Sequence, residues 1–189
     1  EVLFTIEDTK GSPPNLKAGI ASLLAYFYDR WGKTDKAIEF YERSLEMAKG
    51  SEASDLEQIG TISNNLGMIH KKAKNLESAE KYYVESLEAF ESLYGDDHPR
   101  IASVLNNLGV LYYTSQDSER ALKMHERALD IRKRHCNGSD YSPDLGQSWF
   151  NLGAVYKATG DIEKANEAIS KAENYRRPPA DANLDGHRQ

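Results

Sequence analysis

Internal repetition constrains the fold of this 189-residue chain more than any other feature. The segments Asn65–His70, Asn107–Tyr112 and Asn151–Tyr156 align with one another and with Leu23–Tyr28, so the spacing is 42, 42 and 44 residues. Alanine recurs at one offset in every unit, at positions 37, 79, 121 and 165. Four units in phase predict stacked copies of one small motif in place of a single globular core.

Each unit carries two apolar patterns of helical period with a break between them, which predicts two helices per unit. The breaks fall at Trp31-Gly32, Lys74-Asn75, Gln116-Asp117 and Thr159-Gly160. Glycine and asparagine at such places favour the left-handed backbone that ends a helix. In the first helix of each unit, a small residue such as Gly67 is expected to let its neighbour approach closely.

Helix starts are also marked in the sequence. Proline fits the first helical turn, where its missing N–H has no intrahelical partner, and two prolines lie eight residues before Asn107 and Asn151. The second unit lacks this proline, but the spacing of Ser54–Glu57 predicts a capping box. The expected cap and proline pairs are Asp97 or His98 before Pro99, and Ser142 before Pro143.

Composition excludes several classes of protein. The chain has 24 basic and 30 acidic residues, a net charge of −6, which argues weakly against a general nucleic-acid binder. A single cysteine, Cys136, excludes a disulfide framework within the chain and any multi-cysteine zinc site. No run of 18 apolar residues exists, so membrane insertion is not expected. The low cysteine usage favours a cytoplasmic location.

The repeat resembles the tetratricopeptide repeat. Trp149–Tyr156 fits the first part of that motif, Trp-x2-Leu-Gly-x2-Tyr, at every specified position. The 42-residue period, the Asn-Asn-Leu-Gly runs at 64–67 and 106–109, and Asp97-His98-Pro99 are similar to the kinesin-light-chain type of the repeat. This resemblance implies an all-α fold, a right-handed α-α superhelix (TPR solenoid) of four helix-turn-helix repeats.

The phase of the repeat predicts the domain boundaries. Leu3 lies 42 residues before Leu45, so we expect residues 1–8 to be the stub of an upstream second helix. Glu173 takes the place of the leucines at 45, 87 and 129, which suits a terminal helix that faces water. The predicted segments are a stub and loop at 1–14, a repeat domain at 15–175 with repeats 15–56, 57–98, 99–142 and 143–175, and an irregular tail at 176–189.

The resemblance implies that the first helices line a concave groove that holds an extended or helical peptide from a partner. Asn65, Asn107 and Asn151 would form a ladder of amides, which suits contact with a peptide backbone. The alternative is that each asparagine caps or bridges adjacent helices. By phase, the predicted groove residues are Tyr26, Arg30, Asn65, Met68, Lys71, Lys72, Asn107, Val110, Tyr113, Asn151 and Lys157.

Charge is distributed unevenly along the repeats. The four first-helix windows, 16–32, 58–74, 100–116 and 144–160, hold seven basic and two acidic residues, whereas the rest of the chain holds 17 basic and 28 acidic residues. A basic groove would steer acidic segments toward it. The alternative is that lysines 71, 72 and 74 complement a helix dipole. Thr61 and Ser103 stand where a carboxylate clamp would need Lys or Arg, so that clamp is not expected.

No catalytic or metal-binding pattern is present in the sequence. His70 and His125 replace core aromatic residues, so we expect them to be packed. The sequence therefore predicts a non-enzymatic scaffold or adaptor without cofactor or metal that binds a protein or peptide partner, with a preference for acidic segments. The alternatives are a structural unit that self-assembles through exposed terminal helices, and a regulatory domain of a larger protein.

Overall fold

Eight α-helices account for most of the residues that the structure, a computed structural model, describes. These residues are 11, 13–50, 55–136, 138 and 141–177, and they include no strand. The expected stub at 1–8, Ser54 and residues 178–189 of the tail lie outside them. The helices are α1 (Pro14–Arg30), α2 (Thr34–Lys49), α3 (Leu56–Lys72), α4 (Leu76–Tyr94), α5 (Pro99–Thr114), α6 (Ser118–His135), α7 (Pro143–Thr159) and α8 (Ile162–Arg176).

The turn between the two helices of a repeat has one backbone geometry in all four repeats. A residue with positive φ follows each first helix, and the next N–H bonds to a carbonyl five residues back, as in a Schellman motif. The structure thereby confirms the predicted breaks, although two of the four left-handed residues are not glycine. The left-handed residues are Gly32, Lys74, Gln116 and Gly160, with φ of 72°, 63°, 63° and 86°.

The N-cap of each second helix is the residue that follows the left-handed residue of this turn. In three repeats its side chain accepts a hydrogen bond from a backbone N–H three residues on, which caps the helix: Asn75 from Ser78, Asp117 from Arg120 and Asp161 from Lys164. In the first repeat the same position is Lys33, which makes no side-chain cap. The first repeat therefore lacks an interaction that the other three possess.

The first helices begin largely where the sequence predicts. Helices α5 and α7 start at their prolines, and Ser142 accepts a hydrogen bond from the Leu145 N–H. The Nδ1 atom of His98 accepts from the Arg100 N–H at 3.2 Å. The start of α3 corrects the predicted capping box, because its N-cap is Asp55, which accepts from the Gln58 N–H at 3.0 Å.

Within a repeat, small residues let the two helices approach closely. A Cβ added at Gly67 would overlap the ring of Tyr83, and one added at Gly109 would lie 2.7 Å from Nδ1 of His125. Each aromatic partner lies 16 residues after its glycine and is buried. The close approach expected from the small residues is therefore present, and no side chain at these glycines fits without movement of the ring.

The chain divides into two units, Glu1–Asn107 and Leu108–Gln189, with the boundary inside α5. The core of the first unit includes Tyr41 and Leu45 of α2 together with Ile62 and Leu66 of α3. The core of the second unit is formed by Leu129, Leu145 and Leu152, with Trp149 and Tyr175 packed against it. Glu173 of α8 is exposed, as expected, whereas Leu45 and Leu129 are only 5% and 4% exposed.

Candidate functional site

Four of the predicted groove residues lie together in the first unit. Tyr26 of α1 and Asn65, Met68 and Lys72 of α3 line one cavity of about 200 Å³. Tyr26 and Met68 are about half exposed, although both are large and largely apolar. The two first helices thus present an open depression with an aromatic ring, a thioether, an amide and a charge around it, and we call it the α1–α3 depression.

An ion pair crosses the α1–α3 depression. The Nζ atom of Lys72 donates to Oδ1 of Asp29 at 2.7 Å, and both side chains are partly exposed. Tyr41 also lines the cavity, and burial, with the Asp29 carboxylate beside it, raises the pKa of Tyr41 to about 12. The charge of Lys72 is therefore compensated within the protein, and the phenol of Tyr41 stays neutral.

Lys71, the neighbour of Lys72, is in a different electrostatic state. Its side chain is half-buried, and this burial lowers the pKa of the ammonium group. Among the described residues it has no carboxylate within ion-pair distance. Arg30 and Lys157 are exposed. Among the predicted groove residues, the basic side chains without a carboxylate at ion-pair distance are therefore Lys71 and Arg30 in the first unit and Lys157 in the second.

The asparagines of the predicted ladder make contacts within the protein. Nδ2 of Asn107 donates to Oδ1 of Asn64 at 2.9 Å, which bridges α5 and α3. Oδ1 of Asn151 accepts from Nε2 of Gln147 at 2.8 Å, one turn earlier in α7. All three ladder residues remain half-buried, and Asn65 lines the α1–α3 depression. For Asn107 the structure thus shows the bridging contact that was the alternative to peptide binding.

A second cavity of about 200 Å³ lies between α3 and α5 in the first unit, lined by Thr61, Asn64, Asn65, Phe90, Arg100, Ser103 and Val104. Arg100 was not among the predicted groove residues. Its guanidinium pairs with Glu57 at 2.9 Å and lies 5.6 Å from the centre of the Phe90 ring. The position of Arg100 in the first turn of α5 did not predict these contacts, because Glu57 and Phe90 belong to α3 and α4.

In the second unit, Tyr113 lines a cavity of about 630 Å³ together with Thr114, Gln116, Ser118 and Ala158. Tyr113 is exposed, whereas Val110 is half-buried. Of the predicted groove residues in this unit, only Tyr113 lines that cavity. All the predicted groove residues are at least partly accessible to solvent.

The two core histidines are packed, as predicted. His70 stacks on Tyr82 with ring centres 5.3 Å apart, and burial lowers its pKa. His125 is 1% exposed, and burial lowers its pKa to about 4, with a further contribution from the positive charge of Arg132. Within the described ranges, no three His, Cys, Asp or Glu side chains are grouped as metal ligands would be. No helix of that part is long and apolar enough to cross a bilayer.

Comparison with known proteins gives consistent matches. One tetratricopeptide repeat family model matches residues 58–134, and a second matches residues 18–50 and 146–178. The crystal structure of BtubC (BKLC) from P. vanneervenii is similar at 44% sequence identity with a TM-score of 0.83, over 96% of this chain and 75% of that one. No curated protein sequence matches the chain.

More distant structures share the fold alone. Aspartyl phosphate phosphatase F from Bacillus subtilis has 19% identity and a TM-score of 0.75, over 87% of this chain and 41% of that one. TPR-like repeats of a protein described as a kinesin light chain, from Podosopora anserina, have 17% identity and a TM-score of 0.74, over 91% and 81%. These neighbours confirm the all-α helical repeat fold.

Proposed function

The chain belongs to the tetratricopeptide repeat family, and we propose on this basis that it is a non-catalytic scaffold that binds a segment of a partner protein along its first helices. Repeats of this kind are typically protein-interaction modules. Each repeat contacts only its neighbours, so the first helices present a surface that a linear segment can follow. We also propose a cytoplasmic location, because the low cysteine usage favours it.

The α1–α3 depression is the observation that carries this proposal. Met68 is flexible and polarizable, and methionine side chains are common at surfaces that accept varied partners. Tyr26 offers a large rigid contact area together with a hydroxyl group. Asn65 adds two amide donors and an acceptor beside them, which suits the main chain of a bound segment. Apolar area with a few polar groups around it is what a peptide-binding surface requires.

The preference for acidic segments rests on the charges that the protein leaves uncompensated. Lys72 and Arg100 are already paired with carboxylates, so they contribute less than the sequence count implies. Lys71 and Arg30 remain to attract a carboxylate of the partner. We therefore propose an acidic partner segment whose affinity falls with ionic strength, because exposed charges are screened over about 8 Å at physiological salt.

The test is capture of partner proteins by the wild-type chain and by Met68→Glu, analysed by mass spectrometry. Met68 is half exposed, so the variant is expected to fold while its new charge repels an acidic segment. Leu93→Glu is the matched control, since Leu93 is an exposed apolar residue of α4, a second helix. Proteins retained by the control and lost by Met68→Glu support the groove. Equal capture by both variants contradicts it.

Self-association is the second candidate, and the exposed face of α1 favours it. Phe27 is 44% exposed, whereas the residues at its position in the next two repeats, Ile69 and Leu111, are 3% and 1% exposed. Four exposed apolar residues, three in α1 and one at its C-cap, fall on one side of the helix by their spacing. They are Leu16, Leu23, Phe27 and Trp31.

The face of α8 is polar at Glu173, so head-to-tail stacking would place this polar face against the apolar face of α1. A symmetric dimer that uses the α1 face twice is the form of self-association that the chemistry allows. Sedimentation over a range of micromolar concentrations tests it. Association that Phe27→Glu abolishes supports a dimer through this face, and a strict monomer excludes it.

A further inference from the structure

Each unit contains a seam between two consecutive second helices. In the first unit the seam lies between α2 and α4, where an ion pair between Lys49 and Glu85 joins the two helices at a pocket of about 650 Å³. A hydrogen bond from the Tyr82 hydroxyl to Oε1 of Glu42, at 3.1 Å, adds to it. The corresponding seam of the second unit, between α6 and α8, contains a pocket of about 590 Å³ lined by Lys133, Trp149, Lys171, Asn174 and Tyr175.

The repeat phase shows how the second seam differs from the first. Lys133 occupies the position of Lys49, and Lys171 occupies the position of Glu85. The ion pair of the first unit is therefore replaced in the second by two lysines. Both seams are formed by the second helices of two consecutive repeats, so the exchange of Glu85 for Lys171 reverses the charge at one equivalent position.

Both lysines of the second seam are held against one aromatic ring. The Nζ atoms of Lys133 and Lys171 lie 5.0 and 4.5 Å from the centre of the Trp149 ring. Trp149 takes the place of a fully buried serine, Ser63, in the second repeat. Its Nε1 atom is buried without a hydrogen-bond partner among the described residues. The ring thus holds two ammonium groups at one pocket.

The carboxylates near these lysines belong to the lysines' own helices. Asp130 lies 3.8 Å from Lys133 in α6, and Glu167 lies 2.5 Å from Lys171 in α8. All four side chains are at least 42% exposed, so solvent screens both pairs and each contributes little to stability. Neither carboxylate joins the two helices as Glu85 does in the first unit.

We propose that this pocket, formed by Lys133, Lys171 and Trp149, is a binding site for an oxyanion whose oxygens bridge the two ammonium groups. A carboxylate or a phosphate carries at least two acceptor oxygens, and charge-assisted hydrogen bonds to lysine are the stronger class of hydrogen bond. Asn174 adds amide donors at the rim of the pocket. None of the residues that line this pocket is among the predicted groove residues.

Trp149 provides a direct reporter of binding. The chain contains two tryptophans, so Trp31→Phe leaves Trp149 as the only one. In this background, inorganic phosphate and a hexaglutamate peptide are titrated separately at constant ionic strength while the tryptophan emission is recorded. A saturable change is expected with at least one probe. Saturation by phosphate alone indicates a small oxyanion, and saturation by the peptide indicates carboxylates of a protein segment.

Charge reversal within the pocket tests the assignment. Lys133→Glu places opposite charges across the seam, as in the first unit, and should weaken the saturable binding about tenfold or more, as expected for the loss of a charge-assisted hydrogen bond. Lys123→Glu, at an exposed position of the same helix, makes the same change in net charge and should leave the affinity unchanged. Circular dichroism confirms that both variants fold.

Two results would overturn the proposal. The first is the absence of a saturable signal with either probe. The second is an equal loss of affinity in Lys123→Glu and Lys133→Glu, which would show that net charge alone governs binding. Neither result depends on the first-helix groove, so the two proposals stand or fall separately.

Discussion

The replacement of the buried His125 by tyrosine should remove a pH dependence from the stability of this protein. The imidazole lies against Gly109, and its Nδ1 atom has no hydrogen-bond partner among the described residues. Burial lowers its pKa to about 4, and Arg132 adds to the effect. Tyrosine already occupies this position in the second repeat, where Tyr83 packs against Gly67 in the same way. The site is therefore expected to accept the larger ring.

The direction of the effect follows from the two pKa values. In the unfolded chain a histidine has a pKa near 6.5 and takes up a proton as the pH falls below that value. In the folded chain His125 stays neutral until about pH 4. The unfolded state binds more protons between these values, so stability is lost as the pH falls from 6.5 to 4. The loss amounts to about 2 kcal/mol at pH 5 and about 3 kcal/mol below pH 4.

Urea unfolding at pH 7.5 and pH 5 measures this difference. The free energy of unfolding of the wild type should fall by at least about 2 kcal/mol between the two pH values. That of His125→Tyr should fall much less. His70 acts in the same direction, because burial lowers its pKa as well. His70→Tyr is therefore the control, since it removes only the contribution of His70. Equal losses in the wild type and His125→Tyr would refute the buried neutral imidazole.

Four further substitutions have predicted effects on thermal or urea stability. Lys33→Asn should stabilise the protein by about 1 kcal/mol, because it supplies the side-chain cap that α2 lacks. Lys74→Gly should stabilise by up to about 1 kcal/mol, since glycine adopts a φ of 63° without the strain that a side chain brings. Gly67→Ala should destabilise the protein by about 2 kcal/mol, because the added Cβ would overlap the ring of Tyr83. Gly19→Ala should stabilise it by up to about 1 kcal/mol, because no atom lies closer than 3.7 Å to the added Cβ and alanine favours the helix.

Matched controls come from the equivalent positions of other repeats. Asn75→Ala removes a cap that is present and should destabilise by about as much as Lys33→Asn stabilises. Gly32→Ala introduces a Cβ at a φ of 72° and should destabilise. A gain in stability from either control, or from Gly67→Ala, would contradict the geometry described for the turn, the cap or the contact between helices.

The local structure could be predicted from the sequence because its signals are local. Each of these signals acts within a few positions of the chain: the breaks, the prolines at helix starts and the small residues. The structure has them at the positions that the periodicity predicts. The capping box was wrong by one residue, because Asp55 caps α3 while Glu57 accepts from the Tyr94 hydroxyl at 2.7 Å and pairs with Arg100. Those partners come from other helices, so the four-residue pattern did not contain them.

The chemistry of the candidate sites could be predicted less well. The counts of lysine and arginine indicated a basic surface, but the pairing of Lys72 with Asp29 depends on contact between repeats. The bond from Asn107 to Asn64 likewise joins residues 43 apart. The two lysines at Trp149 were not predicted, because Lys133 and Lys171 come from different helices. A comparison of equivalent positions across the repeats would have found them.

The 16-residue interval between each small residue and the ring that covers it has a consequence for folding kinetics. The contact that joins the two helices of a repeat, as between Gly67 and Tyr83, closes a short loop that costs little chain entropy. Proteins dominated by such near-neighbour contacts fold in microseconds to milliseconds. Each hairpin is thus able to act as its own nucleus, and folding is able to spread from any of them to its neighbours. A ribosome-bound chain is therefore able to complete its first hairpins before the later ones have been synthesised.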